Sequence, residues 1–329
     1  MIPLRRRLVR SALGLLAVIA SAPMFALAQA RTIRIGILSP RQASTVLPPF
    51  LKRLEELGYV EGKNLVLDHR SADGVADRLP SLARDLIRAK NDLIVAIGPE
   101  QSARSMLDSK ASVPVVIVAI DYDPVKRGIV SSLRRPGGNI TGVTLVQPLL
   151  AAKRLELLHD IVPKAKRYLV LGDSFTKDQI DAIHEAAERL RVEVVSETFG
   201  APPYDFEAAF KKGLAAKIEA VIVPSSPAYN IEAREKIIAL TLKYRLPSAS
   251  PVSGELPDEG FLLRYDANRA KIYARAGDIA ARILKGAHPG DIPVEQASEF
   301  ELVVNLKTAK ALKISIPQSI LLRANRVIE

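Results

Sequence analysis

Residues 92–124 read DLIVAIGPEQSARSMLDSKASVPVVIVAIDYDP, and the two apolar runs in this stretch set the fold class. DLIVAIG (92–98) and VPVVIVAI (113–120) are continuous rather than alternating, and rich in β-branched residues. Strands of this kind have both faces covered, as in a parallel sheet flanked by helices. Gln101 and Ser102 sit where the first run passes into a helix. Working outward, similar runs recur: IRIGIL (33–38), NLVLD (64–68), NITGVTL (139–145), RYLVLG (167–172), VEVVSE (192–197) and EAVIVPSS (219–226). Helical stripes lie between them. Leu79, Leu82, Ala83, Leu86 and Ile87 form one, and Val46, Leu47, Phe50, Leu51, Leu54 and Leu57 another. Further stripes are Ile180, Ile183, Ala187 and Leu190, behind Asp178, and Ile272, Ala276, Ile279 and Ile283, ending near Gly286.

Strand–helix alternation predicts right-handed βαβ units and an α/β fold with parallel sheets. A turn at Pro136-Gly137-Gly138 suggests that the strands divide between two Rossmann-like lobes. Asn139–Leu145 is expected to cross from one lobe to the other, and Gly260–Tyr265 to cross back. The expected division is a leader at 1–28, a first lobe of 29–142 plus about 262–300, and a second of 143–261 plus about 301–329. Glu255, Asp258 and Glu259, between Gly254 and Gly260, read as a solvated acidic turn.

The composition excludes several classes of protein. Hydrophobic residues make up 48% and charged residues 25%, the balance of a globular chain. The absence of Cys removes disulfides, thiol nucleophiles, Cys-ligated zinc and iron–sulfur clusters. His69, His159, His184 and His288 have no metal-ligand spacing, so no metal or cofactor is expected. G-x-S-x-G, Walker and strand-linked G-x-G-x-x-G motifs are lacking, so no catalytic function is expected.

The start of the chain reads as a targeting segment. Arg5, Arg6, Arg7 and Arg10 precede an apolar run, Ala12–Ile19, and small residues at Ala28 and Ala30 offer cleavage sites. The stretch from Ser11 to Ala28 contains Pro23 and is short of the ~20 apolar residues that span a bilayer. The expected mature protein is exported and soluble, and in a bacterium it is periplasmic. RRRLVR (5–10) loosely resembles a twin-arginine signal, although a plain basic start is the preferred reading. Removing the four arginines takes the formal charge from +11 to +7. The basic residues are not interleaved with aromatics, which make up only 5%, so nucleic acid is not an expected partner.

Ligands in open α/β sheets bind at the carboxyl ends of strands. That rule selects Ser39 after the first strand and Gln101 and Ser102 after the third. Backbone N–H groups at 101–102 suit an anionic group, and ordinary capping by Ser102 stays open beside that reading. Asp121 is placed to accept from a ligand ammonium and Tyr122 to stack on a ring, while Asp123 reads as a cap before Pro124. Ser174 and Phe175, with Ser226 and Tyr229, are the candidates from the second lobe, where an exposed loop is the open alternative.

Several stretches resemble the substrate-binding proteins of ABC importers, in the subgroup that includes tryptophan- and tyrosine-type binders. They are RIGILSP (34–40), LGYVEGKNLVLDHRSADG (57–74), RLPSLARDLI (78–87), DPVKRGIVSSLRRPGGNITGVTL (123–145), KRLELLHDIVP (153–163) and IPVEQASEFELVVNLKTAKALKISIPQSIL (292–321). The resemblance implies a type I periplasmic-binding fold whose lobes close over a small ligand by a hinge. It further implies delivery to a membrane permease driven by a cytoplasmic ATPase, with a monomer as the default. The expected ligand is a small amino-acid-like or aromatic carboxylate. The alternative is a sensory binding protein that signals to a membrane receptor. Members of this group often carry a small residue and then Tyr-Gly where this chain has Arg264, Tyr265 and Asp266. If Arg264 faces the cleft it suits a bidentate carboxylate clamp, and a surface position is the open alternative.

Overall fold

The computed structural model describes residues 31–43, 46–110, 112–200, 202–229, 231–251 and 260–329. The expected leader and the acidic turn with Glu255, Asp258 and Glu259 lie outside the described residues. The chain first builds β1 (Ile33–Ser39), α1 (Pro48–Glu56), β2 (Leu65–Ser71), α2 (Leu79–Arg88), β3 (Leu93–Gly98), α3 (Glu100–Asp108), β4 (Val115–Ala119) and β5 (Ile140–Thr144). It continues with α4 (Gln147–Ile161), β6 (Arg167–Gly172), α5 (Lys177–Leu190), β7 (Glu193–Thr198), α6 (Phe206–Ala215), β8 (Ala220–Ile222), α7 (Ile231–Lys243), β9 (Ser248–Ser250) and β10 (Leu263–Ala267). The last elements are α8 (Arg269–Leu284), β11 (Glu295–Gln296), β12 (Phe300–Asn305), α9 (Leu306–Leu312), α10 (Gln318–Leu321) and β13 (Arg326–Ile328).

Two sheets result, with orders β11-β5-β4-β3-β1-β2 and β13-β12-β10-β9-β8-β6-β7. The pairings are parallel except β10 with β12. Each sheet is covered on both faces. Phe50, Leu54, Ile272 and Ile279 of α1 and α8 pack on one face of the first sheet, and Leu79, Leu86 and Met106 of α2 and α3 on the other. Leu155, Leu158 and Ile183 of α4 and α5 cover one face of the second sheet; Phe210, Ile237 and Leu240 of α6 and α7 cover the other. The expected α/β fold with two mostly parallel sheets is therefore present.

The crossovers fall elsewhere than the sequence suggests. Asn139–Leu145 does not cross between lobes. Ile140–Thr144 is a fully buried strand of the first sheet, in register with β4 from Val115↔Ile140 to Ala119↔Thr144. Gly142, at φ +149°, makes that close pairing possible, because a Cβ there would run into the Ile117 backbone. The chain leaves the first sheet only at Leu145 and Val146. The return is also later. Leu263–Ala267 is an inner strand of the second sheet, and Leu263 packs in its core. The path back to the first sheet begins at Asn268, whose side chain caps α8 by accepting from the Lys271 N–H at 3.1 Å. A third crossover joins β11 to β12.

A buried polar network sits where the first two crossovers run side by side. The Gln147 amide donates to Asp266, which also accepts from Arg269 at 3.0 and 3.1 Å. Arg154, fully buried, donates to the Tyr265 carbonyl at 3.0 Å, to Gln147 at 3.1 Å and to Gln179 at 3.3 Å. Burial lowers the Arg154 pKa to about 10, so the group stays charged at neutral pH. Gln179 exchanges two hydrogen bonds with the Ser225 backbone, and Arg269 reaches the Ser225 hydroxyl at 3.3 Å. The two crossovers are thereby tied to a loop that faces the space between the sheets.

Candidate functional site

The carboxyl ends of the strands in both sheets open onto one cavity of about 890 Å³. Ligand pockets commonly measure ~300–1,000 Å³. Ser39, Arg41, Gly98 and Asp121 line it from the first sheet, joined by Arg269 and Tyr273 from α8. Val223, Ser225, Ser226, Tyr229, Ser250 and Phe261 line it from the second. Gly98 ends β3 at φ +100°, and a Cβ there would sit 3.1 Å from the Pro40 ring. Glycine thus lets the ends of β1 and β3 meet at the cavity wall.

The Ser39 hydroxyl donates to the Arg41 carbonyl at 2.6 Å, and His69 Nε2 lies 2.7 Å from the Ser39 hydroxyl oxygen. Burial pushes the His69 pKa down, so the ring is neutral and serves as the donor to Ser39. Asp121 lines the cavity while only 6% exposed. Burial is the first cause that raises its pKa, to about 7, and Asp173, Asp178 and Glu100 add to it. Among the described residues no ion pair involves Asp121; its carboxyl meets its own backbone N–H. Asp123 caps a turn by accepting from the Val125 and Lys126 N–H groups, as expected for a cap, although no helix follows.

In the second lobe, Ser226 lines the cavity, donates to Asp173 and accepts from the Ala228 N–H at 3.0 Å. Asp173 is buried and also accepts from the Phe175 N–H at 2.9 Å and the Tyr204 hydroxyl at 3.3 Å. Burial raises the Asp173 pKa against these donors. Tyr229 lines the cavity, donates to the Leu171 carbonyl at 2.8 Å, and packs edge-on against Tyr204 and Phe206.

Ser39, Asp121, Ser226 and Tyr229 thus come together on the cavity wall. The other seven sequence-derived candidates lie off it. Gln101 is exposed on α3 and Ser174 on the loop before α5, with Phe175 half-buried beside it. Ser102 is buried, and among the described residues its hydroxyl has no hydrogen-bond partner. The first turn of α3 carries Glu100, which already pairs with Arg104 at 2.8 Å, so that helix end holds an anion of its own. Tyr122 is packed in the apolar core under α2 and α3. Arg264 is 1% exposed inside the second sheet, and Tyr265 stacks on Phe300, with ring centroids 6.0 Å apart. Arg41, Ser225, Arg269, Tyr273 and Phe261 line the cavity but were not selected from sequence. The strand-end rule reaches Arg41, two residues past Ser39. Arg269 and Tyr273 escape it because they lie on a helix entered from the other sheet.

The comparisons with known proteins agree with this architecture. A family model described as ABC transporter substrate binding protein matches residues 43–328. A tyrosine-binding protein of Clostridioides difficile (strain R20291) is 30% identical over 266 residues, 80% of this chain and 75% of that protein. Among solved structures, the ABC domain in complex with L-Trp from Streptococcus pneumonia has a TM-score of 0.78 at 26% identity, covering 90% of this chain and 100% of that one. A ligand-free, open substrate-binding protein with adhesive properties from Clostridium difficile has a TM-score of 0.67, also at 26% identity, covering 90% and 99%.

Proposed function

The chain belongs to the ABC transporter substrate-binding protein family, and from that premise we propose that it is the periplasmic solute-binding component of an importer. It captures a small amino-acid-like or aromatic carboxylate ligand between its lobes and delivers it to a membrane permease. The observation that carries this reading is the cavity with Asp121 on its wall. A buried carboxyl without a cation partner is costly, and a ligand ammonium relieves that cost. Tyr229 and Phe261 supply apolar surface for a side chain. The relatives that bind tyrosine and L-Trp support the same class of ligand.

Capture works by population shift. A ligand that touches both lobes stabilises the closed form, and one that touches a single lobe does not close the protein. The test is thermal shift and native mass spectrometry against a panel of amino acids, aromatic acids, dicarboxylates, sugars and polyamines. A ligand at 100 times its Kd adds about 2.7 kcal/mol of stability. Shifts confined to amino acids or aromatic acids agree with the proposal. Shifts confined to sugars or polyamines overturn it.

A further inference from the structure

We propose that Arg41 is the specificity-determining residue that makes the cavity prefer a ligand carrying a carboxylate. The inference rests on the binding function proposed above and assigns a group that neither the sequence pattern nor the family description assigns. Among the described residues, six ionisable side chains other than tyrosine line the cavity: Arg41, Asp121, Glu232, Arg234, Glu235 and Arg269. Arg269 is paired with Asp266 at 3.0 Å and Glu232 with Lys236 at 2.7 Å. Arg234 is also engaged, and Glu235 is exposed on α7. That leaves one cation and one buried anion, Arg41 and Asp121.

No hydrogen bond or ion pair of the Arg41 guanidinium occurs among the described residues, although the side chain is half-buried. Asp73, the neighbour of the Gly74 against which Arg41 lies, is already held by Arg78 at 3.1 Å. The guanidinium rests over Gly74, where φ is +86°, and a Cβ there would lie 3.5 Å from Arg41 Nη2. Glycine suits that backbone angle, and a Cβ would meet the guanidinium at its seat only in ordinary contact. From that seat Arg41 acts across the cavity, because its charge is felt at the Tyr204 hydroxyl in the second lobe, where it opposes the upward push of burial and Asp173. Pro40, Val46, Pro49 and Ile97 add apolar surface to the same cavity. A guanidinium fork in such surroundings pairs best with a planar two-oxygen anion. The two alternatives for this role are weaker: Arg264 is buried in β10, and the first turn of α3 already holds Glu100.

The test is isothermal titration of the purified protein with matched acids and amides. The probes are L-tyrosine, L-tryptophan and L-leucine, each against its carboxamide, and benzoate against benzamide. Wild type is expected to bind at least one acid ten- to a hundredfold more tightly than its amide. Arg41→Gln should reduce acid affinity to the level of the amide and leave amide affinity within about threefold. Arg41→Lys, which keeps the charge without the fork, should fall between. Melting curves of both variants should match wild type, since Arg41 makes no bond that folding needs. An Arg41→Gln protein that still separates acid from amide overturns the proposal, as does equal binding of both by wild type. Loss of amide binding in the variant also overturns it, by showing that Arg41 shapes the cavity generally. If wild type binds no probe at all, the functional reading fails first, and this inference with it.

Discussion

Arg127, on the loop behind β4, forms an ion pair with Asp178 in the first turn of α5, and so joins the first lobe to the second away from the hinge. Arg127 is shared. It also lies 3.3 Å from Glu100 of its own lobe, which in turn holds Arg104 at 2.8 Å. Arg104 donates to the Arg127 carbonyl, fixing the loop. Opening the lobes removes one partner from Arg127 and leaves the other, so no bare charge is created.

This latch should favour closure modestly. Partly exposed pairs contribute about 0.5–1 kcal/mol, or about two- to fivefold in ligand affinity. Asp178→Asn should weaken binding by that factor, leave the melting temperature nearly unchanged, and enlarge the radius of gyration measured by small-angle scattering. Raising salt should weaken wild-type binding more than that of the variant. Identical salt dependence in the two proteins would remove the latch from the account.

Asp121 makes both stability and binding depend on pH. Its folded pKa of about 7 stands above the ordinary value near 4. The folded state therefore holds the proton more tightly, and stability from this group is present at low pH and lost as pH rises from about 4 to about 7. Asp121→Asn should raise the stability of the ligand-free protein by about 2–4 kcal/mol at pH 8 and by almost nothing at pH 4. For an ammonium-bearing ligand, wild-type affinity should fall about tenfold per pH unit below 7, as the carboxyl is neutralised. In the Asn variant that slope should vanish. Calorimetry at four pH values separates the two behaviours.

Arg154 is a stability residue. Replacing it with Ala leaves the Tyr265 carbonyl without its Arg154 bond and takes a donor from both Gln147 and Gln179. At about 1–3 kcal/mol for each buried group left unsatisfied, the expected loss is about 3 kcal/mol or more. A urea titration reads it directly. A midpoint within error of wild type would mean that water takes over the vacated bonds.

Arg264→Ala should act on stability alone. The side chain is packed inside the second sheet, so melting should drop by several degrees, while the ratio of acid to amide affinity stays at the wild-type value. A change in that ratio would return Arg264 to the binding site.

Much of the fold was legible because the strands are short, continuous and apolar. IRIGIL, DLIVAIG and VPVVIVAI all become buried strands of the first sheet. The lobe boundaries were less legible, since Asn139–Leu145 and Gly260–Tyr265 read as extended segments in either role. Only the pairing of Ile140 with Val115 and of Leu263 with Ala249 decides their membership. The site divides on the same physical line. Strand-end position found Ser39, Asp121, Ser226 and Tyr229, whose backbones lead straight into the cavity. It also picked Tyr122, which turns into the core one residue beyond Asp121, and Arg264, whose charge is buried in a sheet. Residues that reach the cavity from α8 carry no local sign of it.

The crossing of the chain between sheets has a consequence for how the protein is made. The first sheet lacks α8 and β11 until residue 296 exists, and the second lacks β12 and β13 until residue 328. Leu302 and Val304 of β12, like Ile272 and Ile279 of α8, are core residues that nothing earlier in the chain replaces. A nascent chain of 260 residues therefore owns most of two lobes and can finish neither. Any machine that receives it from the N-terminus handles an incomplete protein until the final few dozen residues arrive, and both lobes close late and close together.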